Sequence, residues 1–361
     1  MNKKKKIVFV LPEITAGGAE RVMSFVAQNL SKKDFDVSLW AAGFEKNTKY
    51  DVDGLNVEYF NKPRVLTAIP GFFFALIKTS PNIVISSISH LNIAMGLLSV
   101  FFPKTKFIGR EANVLSIKKQ FGKKKKSIIG EISSSKIGYR CLDIILCQSK
   151  DMFNDMKLNY NIPSDKMRII NNPITDAFSF KVKENKKDDV VKFITVARLK
   201  KQKGHERIIR AIATLNFPYK YTIVGDGPEK ENLFNLINEL GIRDNIVHIP
   251  YTNDVSKYLA MNDFFLQGSF VEGFPNCLIE SCSVGTPIIA YRAPGGLNEI
   301  IEEGVNGFIA DNDEEFVKNI IKSTSMSQWN SKRVSDSVVK KFNKALIIEK
   351  YEKLFHELSA N

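Results

Sequence analysis

Two patterns alternate along this chain. Short runs that are apolar almost throughout are separated by longer stretches in which apolar residues recur every three or four positions. KKIVFVLPE carries a run of the first kind, as expected of a parallel strand buried on both faces of its sheet. After the turn TAGGAE, Val22, Met23, Phe25, Val26 and Leu30 fall on one side of a helix. DVSLWAAG, NIVISSIS, KFIGREA and DIILCQS repeat the strand pattern, with helical segments between them. Over residues 174–190, ITDAFSFKVKENKKDDV, the alternation lapses into a polar, lysine-rich linker. It then restarts with VKFITVAR as a strand, HERIIRAIATL as a helix, YKYTIVGDG as a strand and EKENLFNLINELG as a helix, and continues through NIVHIPY, VSKYLAMNDFFLQGS, TPIIAYRA and NGFIADND.

Two consecutive βα series joined by a linker predict an α/β protein of two doubly wound, Rossmann-like domains facing one another across a cleft. The first is expected over residues 1–178 and the second over 190–342, with a C-terminal helix at 343–361 packing back on the first. A length of 361 residues is enough for two such domains, each with its own core. Pro12 and Glu13 interrupt the first apolar run, so it is not expected to be a secretory leader. The longest apolar stretch, residues 91–102, is shorter than the roughly 18 to 20 residues that span a bilayer. No transmembrane helix is expected. Cys141, Cys147, Cys277 and Cys282 form no CxxC pair and have no histidines at zinc-ligand spacing, which suits reduced thiols in a cytoplasmic protein.

Charge changes the picture more than composition does. Residues 1–180 carry a net +12 of the total +13, concentrated in KKKK at 3–6 and KKQFGKKKK at 118–126. Beside the apolar IPGFFFALI of residues 69–77, these clusters suggest a face resting on anionic lipid, at roughly 1 kcal/mol per basic side chain near the surface. Nucleic acid is the competing partner, but neither cluster has interleaved aromatics at stacking spacing and no nucleic-acid motif follows.

Ligands of doubly wound folds bind beyond the carboxyl ends of the strands, and three of those ends carry chemistry. In ITAGGAERV, Gly17 and Gly18 stand between strand and helix, where a ligand can approach the backbone and a helix N-terminus favours an anion. In VARLKKQKGHE, Arg198 and Lys203 flank a strand end and the next helix start; two cations and a helix N-terminus suit a diphosphate. In EGFPNCLIE, Pro275 fits a helix's first turn, leaving Glu272 in a loop and Glu280 on the helix. The free N–H groups near Asn276 and Cys277 can reach a phosphate while the two glutamates accept from sugar hydroxyls.

GGAER at 17–21, ARLKKQKG at 197–204, VGDGP at 224–228 and the pair Glu272 and Glu280, with PGGLNEII at 294–301 and NGF at 306–308, resemble the retaining glycosyltransferases of family 4, which have the GT-B fold. The resemblance covers essentially the whole chain. It implies that Arg198 and Lys203 hold the donor diphosphate and stabilise it as leaving group, and that Glu280 binds the donor ribose. Glu272, with Gly273, Phe274, Pro275 and Asn276, would contact the transferred sugar and phosphate, and the base would lie against IPYTND with Tyr251, near Gly225 and Asp226. Retention of anomeric configuration is likewise implied by the resemblance. One departure concerns the first domain, where many relatives carry a histidine after a central strand. FIGREANV has Arg110 and Glu111 there, and His90 at the end of NIVISSIS is the other candidate for the acceptor or sugar side.

Competing readings fail at named residues. A glycosidase pair has no use for a diphosphate clamp, and Arg198 and Lys203 argue against it. A nicotinamide enzyme needs GxGxxG, whereas VGDGPEK lacks the third glycine. The DxD triplets at 34–36, 51–53 and 311–313 lie at expected turns or helix caps, so no essential metal and no cofactor beyond the co-substrate are expected. The resulting expectation is a cytoplasmic enzyme, peripheral on the inner face of the cell membrane. It would move a hexose or N-acetylhexosamine from a nucleoside diphosphate sugar, UDP-linked, to a lipid-linked or surface-polysaccharide glycan. The alternative is a non-catalytic glycan- or nucleotide-binding protein of the same fold at the membrane surface.

Overall fold

The computed structural model describes residues 4–15, 17–118, 136–180, 190–325 and 329–360. Lys3, residues 119–126 of the second lysine run and residues 181–189 of the expected linker lie outside the described residues. The described chain divides into two compact units, one built from residues 4–116, 136–173 and 345–360 and the other principally from Ile174–Lys344.

The first unit holds seven strands, β1 (Lys5–Leu11), β2 (Phe35–Ala41), β3 (Asn56–Tyr59), β4 (Ile83–Ser87), β5 (Lys106–Arg110), β6 (Ile144–Cys147) and β7 (Met167–Ile169). They pair in parallel in the order β3-β2-β1-β4-β5-β6-β7. The second unit holds β8 (Val191–Val196), β9 (Tyr219–Val224), β10 (Ile246–Ile249), β11 (Phe264–Gln267), β12 (Ile288–Tyr291) and β13 (Gly307–Ala310). Their order, β10-β9-β8-β11-β12-β13, is again fully parallel. Each sheet therefore reverses direction once, between β1 and β4 in the first and between β8 and β11 in the second. Such a reversal is where doubly wound sheets open a crevice for ligands.

The apolar runs became the inner strands for the reason their pattern implied. Ile7 to Leu11 are buried without exception, and a parallel strand covered on both faces has no outlet for a polar side chain. The two strands that no apolar run announced, β3 and β7, are the edges of the first sheet, and their patterns are half exposed.

The helix Lys344–Ala360 belongs, from Ala345 on, to the first unit. Ile347, Tyr351 and Phe355 join Phe9, Val26 and Phe35 in one core, with the Phe355 ring edge-on to Phe9 at 6.4 Å and to Phe35 at 6.0 Å. Each such buried side chain stabilises by about 1.5 to 3 kcal/mol. The boundary between the units falls earlier than residue 178. Ile174 and Phe178 pack in the core of the second unit, and Ile174 N–H donates to the Phe342 carbonyl at 2.8 Å.

Among the described residues, no helix is long and apolar enough to cross a membrane. All four cysteines are free, Cys147 and Cys282 buried and Cys141 and Cys277 partly so. Burial pushes the Cys147 and Cys282 thiols up, so both stay protonated at neutral pH.

Candidate active site

At the reversal of the second sheet, the segment after β8 (residues 197–204) and the segment after β11 (residues 268–275) lie side by side, laced through their backbones. Phe270 N–H donates to the Gln202 carbonyl at 2.9 Å, and the Gln202 amide donates to the Val271 carbonyl at 2.9 Å. The neighbouring loops join them. Leu199 N–H donates to Asp226 at 3.0 Å and Glu272 N–H to Pro294 at 2.9 Å. Gly204 adopts φ +59°, and a Cβ on it would meet the Gly268 carbonyl oxygen at 1.8 Å. No other residue allows both the left-handed turn and this approach. Gly225, expected beside the donor, is fixed by packing: at φ +141° its Cβ would lie 2.1 Å from the Ala197 carbonyl oxygen.

Across this seam runs the central contact of the site. Lys203 Nζ donates to both oxygens of Glu272, at 2.6 Å to Oε1 and 2.8 Å to Oε2. Glu272 Oε1 also accepts from Ser269 Oγ at 2.6 Å and from Gln267 Nε2 at 3.2 Å. With Glu272 only 6% exposed, these four bonds, three to Oε1 and one to Oε2, match the about four a carboxylate can accept. Burial opposes the charge on Lys203, but the Glu272 carboxylate and Cys277 together outweigh it and hold the amine above its ordinary value. Lys203 is thus an ammonium across the neutral range. Stability from the pair is fully present below the ordinary lysine value and is lost only as pH rises through the raised one.

Arg198 stands on the same segment and is exposed; among the described residues its guanidinium has no hydrogen-bond or ion-pair partner. Its backbone is held from below by His205, whose Nε2 lies 3.2 Å from the Arg198 carbonyl oxygen. His205 is 2% exposed and its Nδ1 is buried without a partner. Burial lowers its pKa to about 4, with Lys203 adding to the effect against the bond to Arg198. A neutral ring donating from Nε2 fits these neighbours. Since the folded value lies below the ordinary 6.5, the unfolded chain takes the proton first as pH falls. The associated stability is complete above about 6.5 and is lost down to about 4, roughly 3 kcal/mol in all. Urea unfolding of wild type and His205→Gln should show their stability difference shrinking by that amount between pH 7 and pH 4. A difference that stays constant would contradict this assignment.

Arg207, one turn further on, secures the other segment. Its Nε donates to the Gly268 carbonyl at 2.7 Å and its Nη2 to the Ser269 carbonyl at 2.5 Å. The guanidinium lies between the Phe270 and Tyr291 rings, 4.1 and 4.0 Å from their centroids. Burial lowers its pKa to about 10, against the pull of Tyr291 and Asp313. Neither His205 nor Arg207 was singled out from the sequence. A signal for His205 exists: it falls on the stripe of Ile208, Ile209 and Ile212, all buried.

The remaining expected residues are distributed unevenly. Glu280 lies on the helix Asn276–Ser283, as expected, and is 5% exposed. Gly273, Pro275 and Asn276 lead into that helix's N-terminus, but the Phe274 side chain turns away into the core, edge-on to Phe342 at 5.2 Å. Asp226 is exposed and accepts from its neighbour Gly227. Tyr251 is 65% exposed beyond β10, its hydroxyl donating to Asn253.

In the first unit, Gly17 caps the helix Gly18–Asn29, but a Cβ on Gly17 would meet Glu20 Oε2 at 2.0 Å. The Glu20 carboxylate therefore lies against Gly17, in the helix's first turn. Arg110 and Glu111, expected on the acceptor or sugar side, are 1% and 0% exposed. Arg110 donates to Ser87 and Asn172. Glu111 accepts from Asn92, Ser89 and Tyr139. Both knit the strand ends together inside the unit and present nothing to solvent. His90 is exposed at the second position of the helix Ser89–Ser99. Before it, Ile88 holds φ +82°, a strained conformation for a β-branched residue and one that clusters at functional sites.

Of the DxD triplets, Asp34 accepts from Ser31, Asp51 caps its own turn, Asp311 pairs with Arg292 and Asp313 accepts from Tyr291. Asp36 departs from the expected turn and lies within β2.

Comparison with known proteins agrees with this layout. A family model described as glycosyl transferases group 1 matches residues 176–335, and one described as glycosyltransferase family 4 matches residues 16–178. The chain is 28% identical over 329 residues, 86% of its length and 87% of the relative's, to the N-acetylgalactosamine-N,N'-diacetylbacillosaminyl-diphospho-undecaprenol 4-alpha-N-acetylgalactosaminyltransferase of Campylobacter jejuni. It is also 28% identical over 166 residues, 45% of this chain and 48% of the relative, to a lipopolysaccharide core biosynthesis glycosyltransferase, LpsE, of Rhizobium meliloti. Among solved structures, Anabaena HepE in complex with UDP superposes with a TM-score of 0.80 at 16% identity, covering 98% of this chain and 100% of that one. The lipopolysaccharide outer core galactosyltransferase WaaB gives 0.78 at 18% identity, covering 98% and 99%. At these identities the structures show the fold, which is GT-B.

Proposed function

The chain belongs to the group 1 glycosyltransferases and is a transferase enzyme, and from that premise we propose that it moves one hexose or N-acetylhexosamine from a UDP-linked sugar to a lipid-linked or surface-polysaccharide glycan, with retention at the anomeric carbon. The observation that carries the reading is the Lys203 ammonium held by both oxygens of Glu272 at the reversal of the second sheet, on the same segment as the exposed Arg198. Two cations beside a strand end, Lys203 held by Glu272 and Arg198 exposed beside it, suit a leaving diphosphate, whose charge grows as the glycosidic bond breaks. Because the Lys203 ammonium already lies in place, it needs little reorganisation during the reaction, and the two cations supply that charge without a metal ion.

Within this reading each side chain has a distinct task. Arg198 and Lys203 bind the diphosphate oxygens. Glu272 aims the Lys203 ammonium and faces the transferred sugar. Glu280 accepts from the ribose hydroxyls. His205 and Arg207 touch no substrate and are positioning residues for the two segments. The relatives support the acceptor class: the Campylobacter jejuni enzyme acts on a diphospho-undecaprenol-linked glycan and LpsE serves lipopolysaccharide core biosynthesis. The UDP bound to Anabaena HepE supports the donor class. An acceptor of that kind fits an enzyme working at the inner face of the cell membrane, with the basic first unit toward the lipid.

A hydrolysis screen across UDP- and GDP-sugars, without acceptor, tests the donor assignment. Release of UDP from a UDP-hexose or UDP-N-acetylhexosamine is expected to exceed release from every GDP-sugar. Preferential release of GDP would overturn the assignment to UDP, and release from no nucleoside diphosphate sugar would overturn the donor class.

A further inference from the structure

The helix Val65–Thr79 is apolar on nearly every side, a composition that belongs in a core or against lipid. Phe72, Ala68, Ala75 and Leu76 are buried, but on its outer face Leu66, Phe74 and Ile77 are 76%, 67% and 54% exposed, with Pro70 between them. These positions follow one another at i, i+4, i+8 and i+11, a single stripe along the helix. The stripe does not end at the helix. Phe73 packs edge-on against Phe74, Phe101 and Phe102 at 5.8, 5.9 and 5.4 Å. Phe101 and Val100, just past the helix Ser89–Ser99, are each 67% exposed, with Leu97 on its last turn. Two helices of one unit thus share a contiguous apolar surface, and isolated exposed leucines do not explain an aromatic cluster of this kind.

Its surroundings select the partner. Between Glu58 and Glu111 the chain contains no aspartate or glutamate, and Glu111 is fully buried. Lys62, Arg64, Lys78 and Lys104 are all exposed, and among the described residues none of them is in an ion pair. A protein partner for such a surface would meet uncompensated cations, whereas an anionic lipid surface satisfies both features at once: phosphates for the cations and acyl chains for the rings.

We propose that Phe74, Ile77, Val100 and Phe101 insert into an anionic bilayer while Lys62, Arg64, Lys78 and Lys104 contact its headgroups. The proposal rests on the lipid-linked acceptor above and names the surface that holds the enzyme to the membrane containing it. The insertion is shallow, because the stripe belongs to a helix whose other face is fixed in the unit's core.

Co-sedimentation of the full chain with vesicles of phosphatidylglycerol in phosphatidylcholine, against phosphatidylcholine alone, tests it. Wild type should bind the anionic vesicles and release them as salt rises. Phe74→Ser/Phe101→Ser should weaken binding at least about tenfold with an unchanged unfolding temperature, since both rings are already exposed. Lys62→Gln/Arg64→Gln/Lys78→Gln/Lys104→Gln should weaken binding and flatten its salt dependence. Both variants should keep wild-type transfer to a water-soluble acceptor, so a failed transferase reading and a failed surface are told apart. Equal binding of the phenylalanine variant and wild type would overturn the proposal. So would indifference of wild type to anionic lipid, and in that case a concentration-dependent self-association abolished by Phe74→Ser/Phe101→Ser would identify a contact between copies of the chain instead.

Discussion

Lys203→Met is expected to fold and to transfer sugar about a hundredfold more slowly than wild type, a loss of roughly 3 kcal/mol of transition-state stabilisation. Methionine keeps most of the volume and removes the ammonium. The same change leaves the Glu272 carboxylate, 6% exposed, without its counter-ion. Stability should therefore fall too, by less than the 3 to 5 kcal/mol of a fully buried pair, because the Lys203 side chain is 26% exposed. Lys203→Met/Glu272→Gln separates the two effects: the stranded charge is gone, so thermal stability should recover while activity does not. Turnover of Lys203→Met within about threefold of wild type, with the fold intact by circular dichroism, would remove Lys203 from the reaction.

The second large effect concerns the two glutamates, which have separable tasks. Glu272→Gln should lower kcat by about tenfold to a hundredfold, because a neutral amide no longer fixes the ammonium beside the leaving group. Combined with Lys203→Met it should add little, since both changes remove one interaction. Glu280→Gln should instead raise the donor KM by about tenfold or more while kcat stays near wild type, as expected when a charge-assisted hydrogen bond to ribose is equally strong before and during bond cleavage. Initial-rate kinetics of both variants over a donor series check this. Equal loss of kcat in both, with donor KM untouched, would mean two carboxylates acting on one bond.

How far the molecule could be read from its sequence depended on where each residue lies. The inner strands were legible because a parallel strand covered on both faces needs an unbroken apolar run, as in Ile7 to Leu11. The edge strand NVEY was not, because one side of it meets solvent and its pattern carries two exposed residues in four. Arg198, Lys203, Glu272 and Glu280 were legible because chemistry at a strand end needs charged side chains in short motifs. Their pairing was not. Lys203 and Glu272 are 69 residues apart, and only the adjacency of β8 and β11 brings them together. Arg207 looked like the polar face of an amphipathic helix, and nothing in HERIIR shows that its guanidinium is sandwiched between Phe270 and Tyr291. The burial of Arg110 and Glu111 against Ser87, Asn172, Asn92 and Tyr139 was equally illegible, since charge at a strand end gives no sign of partners inside the unit.

The central claim is that the diphosphate of the donor is held at the reversal of the second sheet by Arg198 and Lys203. Calorimetric titration of UDP into wild type, Arg198→Ala and Lys203→Met tests it most directly, because it needs neither the acceptor nor turnover. Each substitution should weaken binding by about tenfold or more, as loss of a charge-assisted contact to phosphate requires. Wild-type affinity for UDP in both variants would place the diphosphate elsewhere and contradict the account.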